Sequence, residues 1–120
     1  MAVRAIRGAT QVDADDREQV LEATRELVSA VLERNHLGHD DVISILFTAT
    51  PDLVSEFPAL AARELGMGDV PLMCATEIDV PHALPRVLRL MAHVETSRSR
   101  AEVQHVYLRG ATALRQDIAQ

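Results

Sequence analysis

Val42-Ile43-Ser44-Ile45-Leu46-Phe47-Thr48-Ala49-Thr50 is a β-branched, nearly continuous apolar run closed by Pro51-Asp52-Leu53. A run this short and this rich in Val, Ile and Thr predicts a central strand buried on both faces. Such a strand needs flanking strands and a layer of helices, and the neighbouring sequence offers both. Upstream, Val20, Leu21, Thr24, Leu27, Val28, Val31 and Leu32 recur at helical spacing, with Glu22, Glu26, Ser29 and Glu33 opposite. That pattern predicts an amphipathic helix over about 16–35, opened by Asp15-Asp16-Arg17-Glu18 as an N-cap with an acidic residue three positions on. Before it, residues 2–12 alternate loosely and read as a strand with Val3, Ala5 and Arg7 on one face.

Downstream, Phe57-Pro58 opens a small helix from Ala59 to Leu65, stopped by Gly66-Met67-Gly68. Residues 70–77 read as a third long strand. Pro81 and Pro85 permit a second long helix from about Ala83, with Leu84, Val87, Leu88, Met91 and Val94 as its apolar stripe. Residues 103–109 and 111–115 supply one or two final strands around Gly110. The predicted order is β-α-β-α-β-α-β: a two-layer α+β domain over residues 1–120, with helices packed on one face of a mixed sheet. The short middle helix leaves part of that sheet poorly covered, and a second copy of the chain is its natural cover.

Composition narrows the chemistry. The formal charge is -6 and no basic stripe exists, which argues against nucleic acid or an anionic membrane surface as partner. All 12 basic residues are arginine, so lysine chemistry is excluded, Schiff bases and phosphate-loop lysines included. The one cysteine, Cys74, excludes an intrachain disulfide and a cysteine-based zinc cluster. No apolar run reaches transmembrane length and Met1-Ala2-Val3-Arg4 lacks a signal-type stretch, so a cytoplasmic protein is expected. Glycine-rich phosphate loops, GxSxG, HExxH and paired-cysteine metal spacings are all missing. His36 and His39 alone among the five histidines fall close together, in a loop, and do not make a convincing metal pair.

What remains is a set of charged or phenolic side chains inside segments that otherwise read as core: Arg7, Glu77, Arg89, Tyr107 and Arg115. Burying an ion costs several kcal/mol unless a partner compensates it, so each is part of a hidden ion pair or of a site. Arg7 either pairs at a sheet edge or forks onto a ligand carboxylate. Glu77 is either a solvated strand end or an acceptor for a ligand hydroxyl. Strict alternation puts it on the face opposite Cys74. Helical periodicity places Arg89 in solvent beside Arg86 and His93, and Arg63 on the surface of the short helix.

Ile6-Arg7-Gly8-Ala9-Thr10, Ala49-Thr50-Pro51-Asp52-Leu53, Phe57-Pro58-Ala59, Arg63-Glu64-Leu65, Cys74, Glu77-Ile78-Asp79-Val80, Arg89, His105-Val106-Tyr107-Leu108 and Leu114-Arg115 follow one another over about residues 3–115. As an ordered set they resemble the trimeric α/β class of chorismate mutase. The resemblance implies a homotrimer of pseudo-barrel type with clefts between adjacent subunits. It implies rearrangement of chorismate to prephenate in phenylalanine and tyrosine biosynthesis, with no cofactor and no metal. It also implies roles: Arg7 and Tyr107 on a substrate carboxylate, Arg89 at the ether oxygen, and Glu77 accepting from the substrate hydroxyl. Cys74 and Phe57 would contact substrate, with Met73 and Leu114 lining the cleft, and Arg63 and Arg115 would draw the dianion to its mouth. Leu60, where a relative carries lysine, Met73, where it carries threonine, and Pro81-His82-Ala83, in place of a glycine-rich turn, depart from the pattern. Two other readings stand beside this one: an imine or enamine deaminase of the similarly folded trimeric Rid type, and a non-catalytic module binding a small dicarboxylate.

Overall fold

The computed structural model describes residues 1–115. Five strands form one mixed sheet: β1 (Ala2–Gln11), β2 (Val42–Ala49), β3 (Leu72–Thr76), β4 (Val87–Thr96) and β5 (Val106–Tyr107). Across the sheet the order is β3-β2-β4-β1-β5. β4 runs antiparallel to both β1 and β2, while β3 and β5 run parallel to β2 and β1. One long helix, α1 (Arg17–Arg34), and a short one, α2 (Ala59–Ala62), cover a single face. The α+β architecture with helices on one side of a mixed sheet is therefore as the sequence suggests. Among the described residues, no helix is long and apolar enough to cross a membrane.

The predicted third helix does not form. Residues 87–96 are instead the central strand β4, and the order is β-α-β-α-β-β-β. Leu88, Leu90, Ala92 and Val94 alternate with Arg89, Met91, His93 and Glu95, a period of two that coexists with the helical stripe Leu84, Val87, Leu88, Met91, Val94. Ten aligned pairs with β1, from Gln11↔Val87 to Ala2↔Thr96, decide between them. The strand is launched from Arg86, which adopts a left-handed φ of 55°. That conformation costs a non-glycine residue roughly 1–2 kcal/mol. Three hydrogen bonds hold it: Arg86 N–H to Asp52 Oδ2 and Arg86 Nε–H to the Val12 carbonyl, both at 3.0 Å, and Val12 N–H to the Arg86 carbonyl at 3.0 Å.

Other boundaries shift less. Asp16 caps α1, accepting the Gln19 N–H at 3.1 Å. After α2 the chain continues through a π-type turn (Arg63–Met67) that ends where Gly66 takes a φ of 93°. The one or two strands expected beyond residue 103 reduce to β5, followed by a 3-10 turn (Arg109–Ala113). Nor is β2 buried on both faces. Ile45 and Phe47 enter the core, whereas Leu46 is exposed on the opposite side.

The core lies between α1, α2 and the helix-facing side of the sheet, built from Ile6, Leu27, Val28, Phe47, Met67 and Leu90. Side chains as fully buried as Leu27 and Phe47 each contribute about 1.5–3 kcal/mol relative to exposure. Contact is closest at Gly8, where a Cβ would lie 3.1 Å from Leu27 Cδ1. Among the described residues, no α-helix packs on the other face of the sheet. Val3, Leu46, Met73 and Met91 stand on it at 59, 38, 66 and 36% exposure, an apolar surface that a folded chain normally covers.

Candidate active site

Two neighbouring rows of side chains cross the open face of the sheet. In one, the register aligns Ala75, Thr48, Arg89, Ala9 and Tyr107. In the next, two residues along, it aligns Met73, Leu46, Met91 and Arg7. Strands lie about 4.8 Å apart, so Thr48 to Tyr107 spans three gaps, roughly 14 Å, the reach of a small metabolite. Ala9, between Arg89 and Tyr107, is fully buried and packs with Tyr107, Ala111 and Leu114. Arg7, Thr48, Arg89 and Tyr107, with Leu46 and Met91, line a recess of about 220 Å³ there.

The strands explain why each group points in. Arg7 and Arg89 occupy outward positions of β1 and β4, one register step apart, so both guanidinium groups rise from the same side. Tyr107 is fixed by the β5 pairing with Ala9 and packs on Ala9, Ala111 and the partly buried Leu114. Glu77 follows directly on β3, held by its N–H to the Ala49 carbonyl at 3.0 Å. Its carboxylate turns to the open face, where Oε2 accepts the Thr48 hydroxyl at 2.8 Å and lies 3.0 Å from Arg89 Nε. The Arg89–Glu77 contact is an ion pair without an aligned hydrogen bond, because the Nε–H does not aim at the oxygen. Arg89 keeps 43% of its side chain exposed and Glu77 17%, so the pair itself adds at most about 1 kcal/mol to folding stability.

Two guanidinium nitrogens here, Arg7 Nη1 and Arg89 Nε, are buried and make no hydrogen bond. Leaving a buried charged donor unsatisfied costs about 1–3 kcal/mol or more. Glu77 answers the charge of Arg89 without an aligned bond, while Arg7 Nη1 has no acceptor, so the recess suits a further anion. His105 supports the arrangement from below. Its Nδ1 accepts the Arg7 N–H at 2.9 Å, which fixes the proton of the neutral ring on Nε2. Burial, then the positive charges of Arg7 and Arg115, hold its pKa below the usual histidine value. The backbone just before His105 is anchored by Asn35, whose side-chain amide pairs with both backbone groups of Gln104, at 2.7 and 2.9 Å.

The remaining sequence-derived candidates lie elsewhere. Cys74 aligns with Phe47 and packs against the core on the helix side, opposite Glu77, as strict alternation requires. Cys74, Phe57 and Pro58 line a second recess of about 300 Å³ beside β3. Phe57 is 66% exposed there. Arg63 is exposed on the π-type turn; the Phe57 N–H, then Arg17 and last Arg63 lower the Glu56 carboxyl pKa. Met73 stands on the open face. A single chain therefore brings together Arg7, Glu77, Arg89 and Tyr107, with Leu114 packed on Tyr107 and Arg115 near His105. It leaves Phe57, Arg63 and Cys74 on the far side of the sheet. Arg89 is not the solvated helical residue that periodicity indicates, but a strand residue in the centre of the site. Thr48 and His105 were not among the sequence candidates. A threonine in a strand carries no signal, and the histidine is recognisable only through its tie to Arg7.

The profile of the family described as chorismate mutase type I matches residues 3–118. Chorismate mutase AroH of Thermus thermophilus is 47% identical over 117 residues, which is 97% of this chain and 96% of the relative. Chorismate mutase AroH of Bacillus subtilis (strain 168) is 42% identical over 120 residues, 99% and 94% of the two chains. Among solved structures, a chorismate mutase from Clostridium thermocellum superposes with a TM-score of 0.91 at 44% identity, covering 92% of this chain and 98% of that one.

Proposed function

This chain belongs to the chorismate mutase type I family, and we propose that its cleft is completed by a neighbouring protomer. The protein is a chorismate mutase, an isomerase converting chorismate to prephenate, which sets aside the deaminase and binding-module readings. The reaction is intramolecular: an ether C–O bond breaks while a C–C bond forms, electrons shift around a six-membered array, and no atom or proton leaves. No nucleophile or base is required. The catalyst has to select the compact, chair-like conformer and stabilise the charge that grows on the ether oxygen.

Arg89 is the group placed to face that oxygen, its Nε–H uncommitted and its charge held in a fixed strand position. Arg7 and Tyr107, on the flank of the same recess, take a substrate carboxylate, for which a forked guanidinium is suited. Glu77 accepts from the ring hydroxyl. Arg115 adds positive charge at the mouth, and Leu114 backs Tyr107. The observation carrying this reading is the pair of buried guanidinium nitrogens without hydrogen bonds on the apolar-rimmed sheet face opposite α1 and α2.

The Phe57 and Cys74 recess lies on the other side of the sheet edge, so those residues, with Arg63, serve the cleft of an adjacent protomer. Three protomers joined open face to β3 edge close a ring and cover Leu46, Met73 and Met91, and the protomer contact is heterologous. The assembly is a homotrimer with three such clefts, working in the cytoplasm with its water-soluble substrate.

Mixing two inactive variants tests the shared cleft. Arg89→Ala spoils the face wall and Cys74→Trp fills the edge recess. Random trimers from equal amounts regenerate about one quarter of the clefts intact, each wall being sound half the time. Recovery of about a quarter of wild-type activity in co-expressed mixtures supports the reading. Activity no greater than the average of the two parents would show that each cleft belongs to one chain.

A further inference from the structure

Thr48 is absent from every role assigned above, yet its hydroxyl points into the recess and makes the shortest contact to Glu77. We propose that Thr48 is a positioning residue for the reaction: by donating to Glu77 Oε2 it keeps that carboxylate from closing on Arg89. The inference rests on the site reading of Glu77 and Arg89.

The geometry sets up a competition for one carboxylate. Thr48 Oγ1 and Arg89 Nε lie 2.8 and 3.0 Å from the same oxygen, Oε2. Arginine and carboxylate prefer a two-bond fork in which both oxygens meet parallel N–H groups. That fork is not made here, and Arg89 Nε has no aligned partner. The register explains why the threonine can intervene: Thr48 is directly opposite Arg89 across β2 and β4, and Glu77 reaches over from the end of β3. With one lone pair of Oε2 taken by the hydroxyl, the carboxylate plane is pinned. Oε1 is then offered to the substrate hydroxyl, and the guanidinium stays free to meet the ether oxygen. Without the hydroxyl, Glu77 rotates into the fork and neutralises the cation that the transition state needs.

The test compares Thr48→Val, which keeps shape and loses the donor, with Thr48→Ser, which keeps the donor and loses the methyl. kcat and KM are measured for the purified, assembled enzymes, with thermal midpoints recorded alongside. Thr48→Val is expected to lower kcat about 10- to 100-fold, the scale of a misplaced catalytic group, with KM changed far less. Thr48→Ser is expected to stay within about threefold of wild type, since it keeps the donor that does the positioning. In a Glu77→Ala background, Thr48→Val should add no further loss. A serine variant as impaired as the valine variant, or a valine penalty of equal size with and without Glu77, overturns the proposal. Should Thr48→Val fold poorly, the ratio between Thr48→Ser and Thr48→Ala takes its place, and a ratio near one overturns it. If Glu77→Ala alone leaves kcat near wild type, the reading of Glu77 fails first, and this inference with it.

Discussion

Replacing Arg89 with alanine removes a cation that lies on the open sheet face and contributes almost nothing to the core. The side chain is 43% exposed and forms an ion pair with the Glu77 carboxylate, 3.0 Å away. A half-exposed ion pair stabilises folding by at most about 1 kcal/mol, so the thermal midpoint should fall only slightly. Catalysis should suffer far more. Deleting a preorganised donor aimed at developing negative charge costs about 2.7–4 kcal/mol of barrier, or roughly 10²- to 10³-fold in kcat. The same substitution also strands Glu77, now an unbalanced carboxylate in a recess meant for a dianion. That second effect can be separated. In Arg89→Ala/Glu77→Gln the stray charge is gone, while the missing cation is not restored. The decay of chorismate absorbance under saturating substrate gives kcat for all three enzymes. If Arg89 acts on the ether oxygen, the double variant stays about 10²-fold or more below wild type, whatever part of the single variant's loss came from the stray charge. Return of the double variant to near wild-type kcat would refute the reasoning, because the loss would then belong to the unmasked carboxylate. So would an Arg89→Ala enzyme within about threefold of normal turnover, well short of the loss expected for such a donor.

Arg7→Ala should raise KM more than it lowers kcat; one charged hydrogen bond to a carboxylate is worth about 1.5–3 kcal/mol, roughly 10- to 150-fold in kcat/KM, read from steady-state kinetics. Gly8→Ala should destabilise by about 1–3 kcal/mol through overpacking, because its Cβ meets Leu27 and Leu90 at 3.1–3.3 Å, and chemical denaturation would show it. His105 has a depressed pKa in the folded state, so the unfolded chain binds its proton more readily. Its contribution is complete above the ordinary histidine value of 6.5 and is lost as pH falls through the lower folded value. Unfolding midpoints should therefore decline with acid before the carboxylates titrate, and His105→Gln should flatten that first decline.

How much of this was legible beforehand varied by element. α1 was plain, since its apolar stripe and Asp16 cap are local signals that tertiary packing only confirmed. β1 and β3 were recognisable within a residue or two. β4 was misread because the helical stripe Val87, Leu88, Met91, Val94 coexists with the alternating set Leu88, Leu90, Ala92, Val94. Only pairing with β1 and β2, which local sequence does not encode, settles the matter. Arg89 went astray with it, for a residue's facing depends on its element. Likeness to known mutases assigned Arg89 to the cleft without correcting its secondary structure. Alternation correctly parted Cys74 from Glu77, and the structure keeps them on opposite sides of the sheet.

That parting reaches beyond a single molecule. When each chain lends one wall to one cleft and a second wall to another, a lesion confined to Arg89 disables a single cleft for every defective chain. Activity in a mixed population then declines in simple proportion to the defective fraction. A chain damaged at both Arg89 and Cys74 spoils two clefts, and output follows the square of the sound fraction. The shape of a gene-dosage curve thus becomes a readout of which side of a β-sheet a side chain occupies.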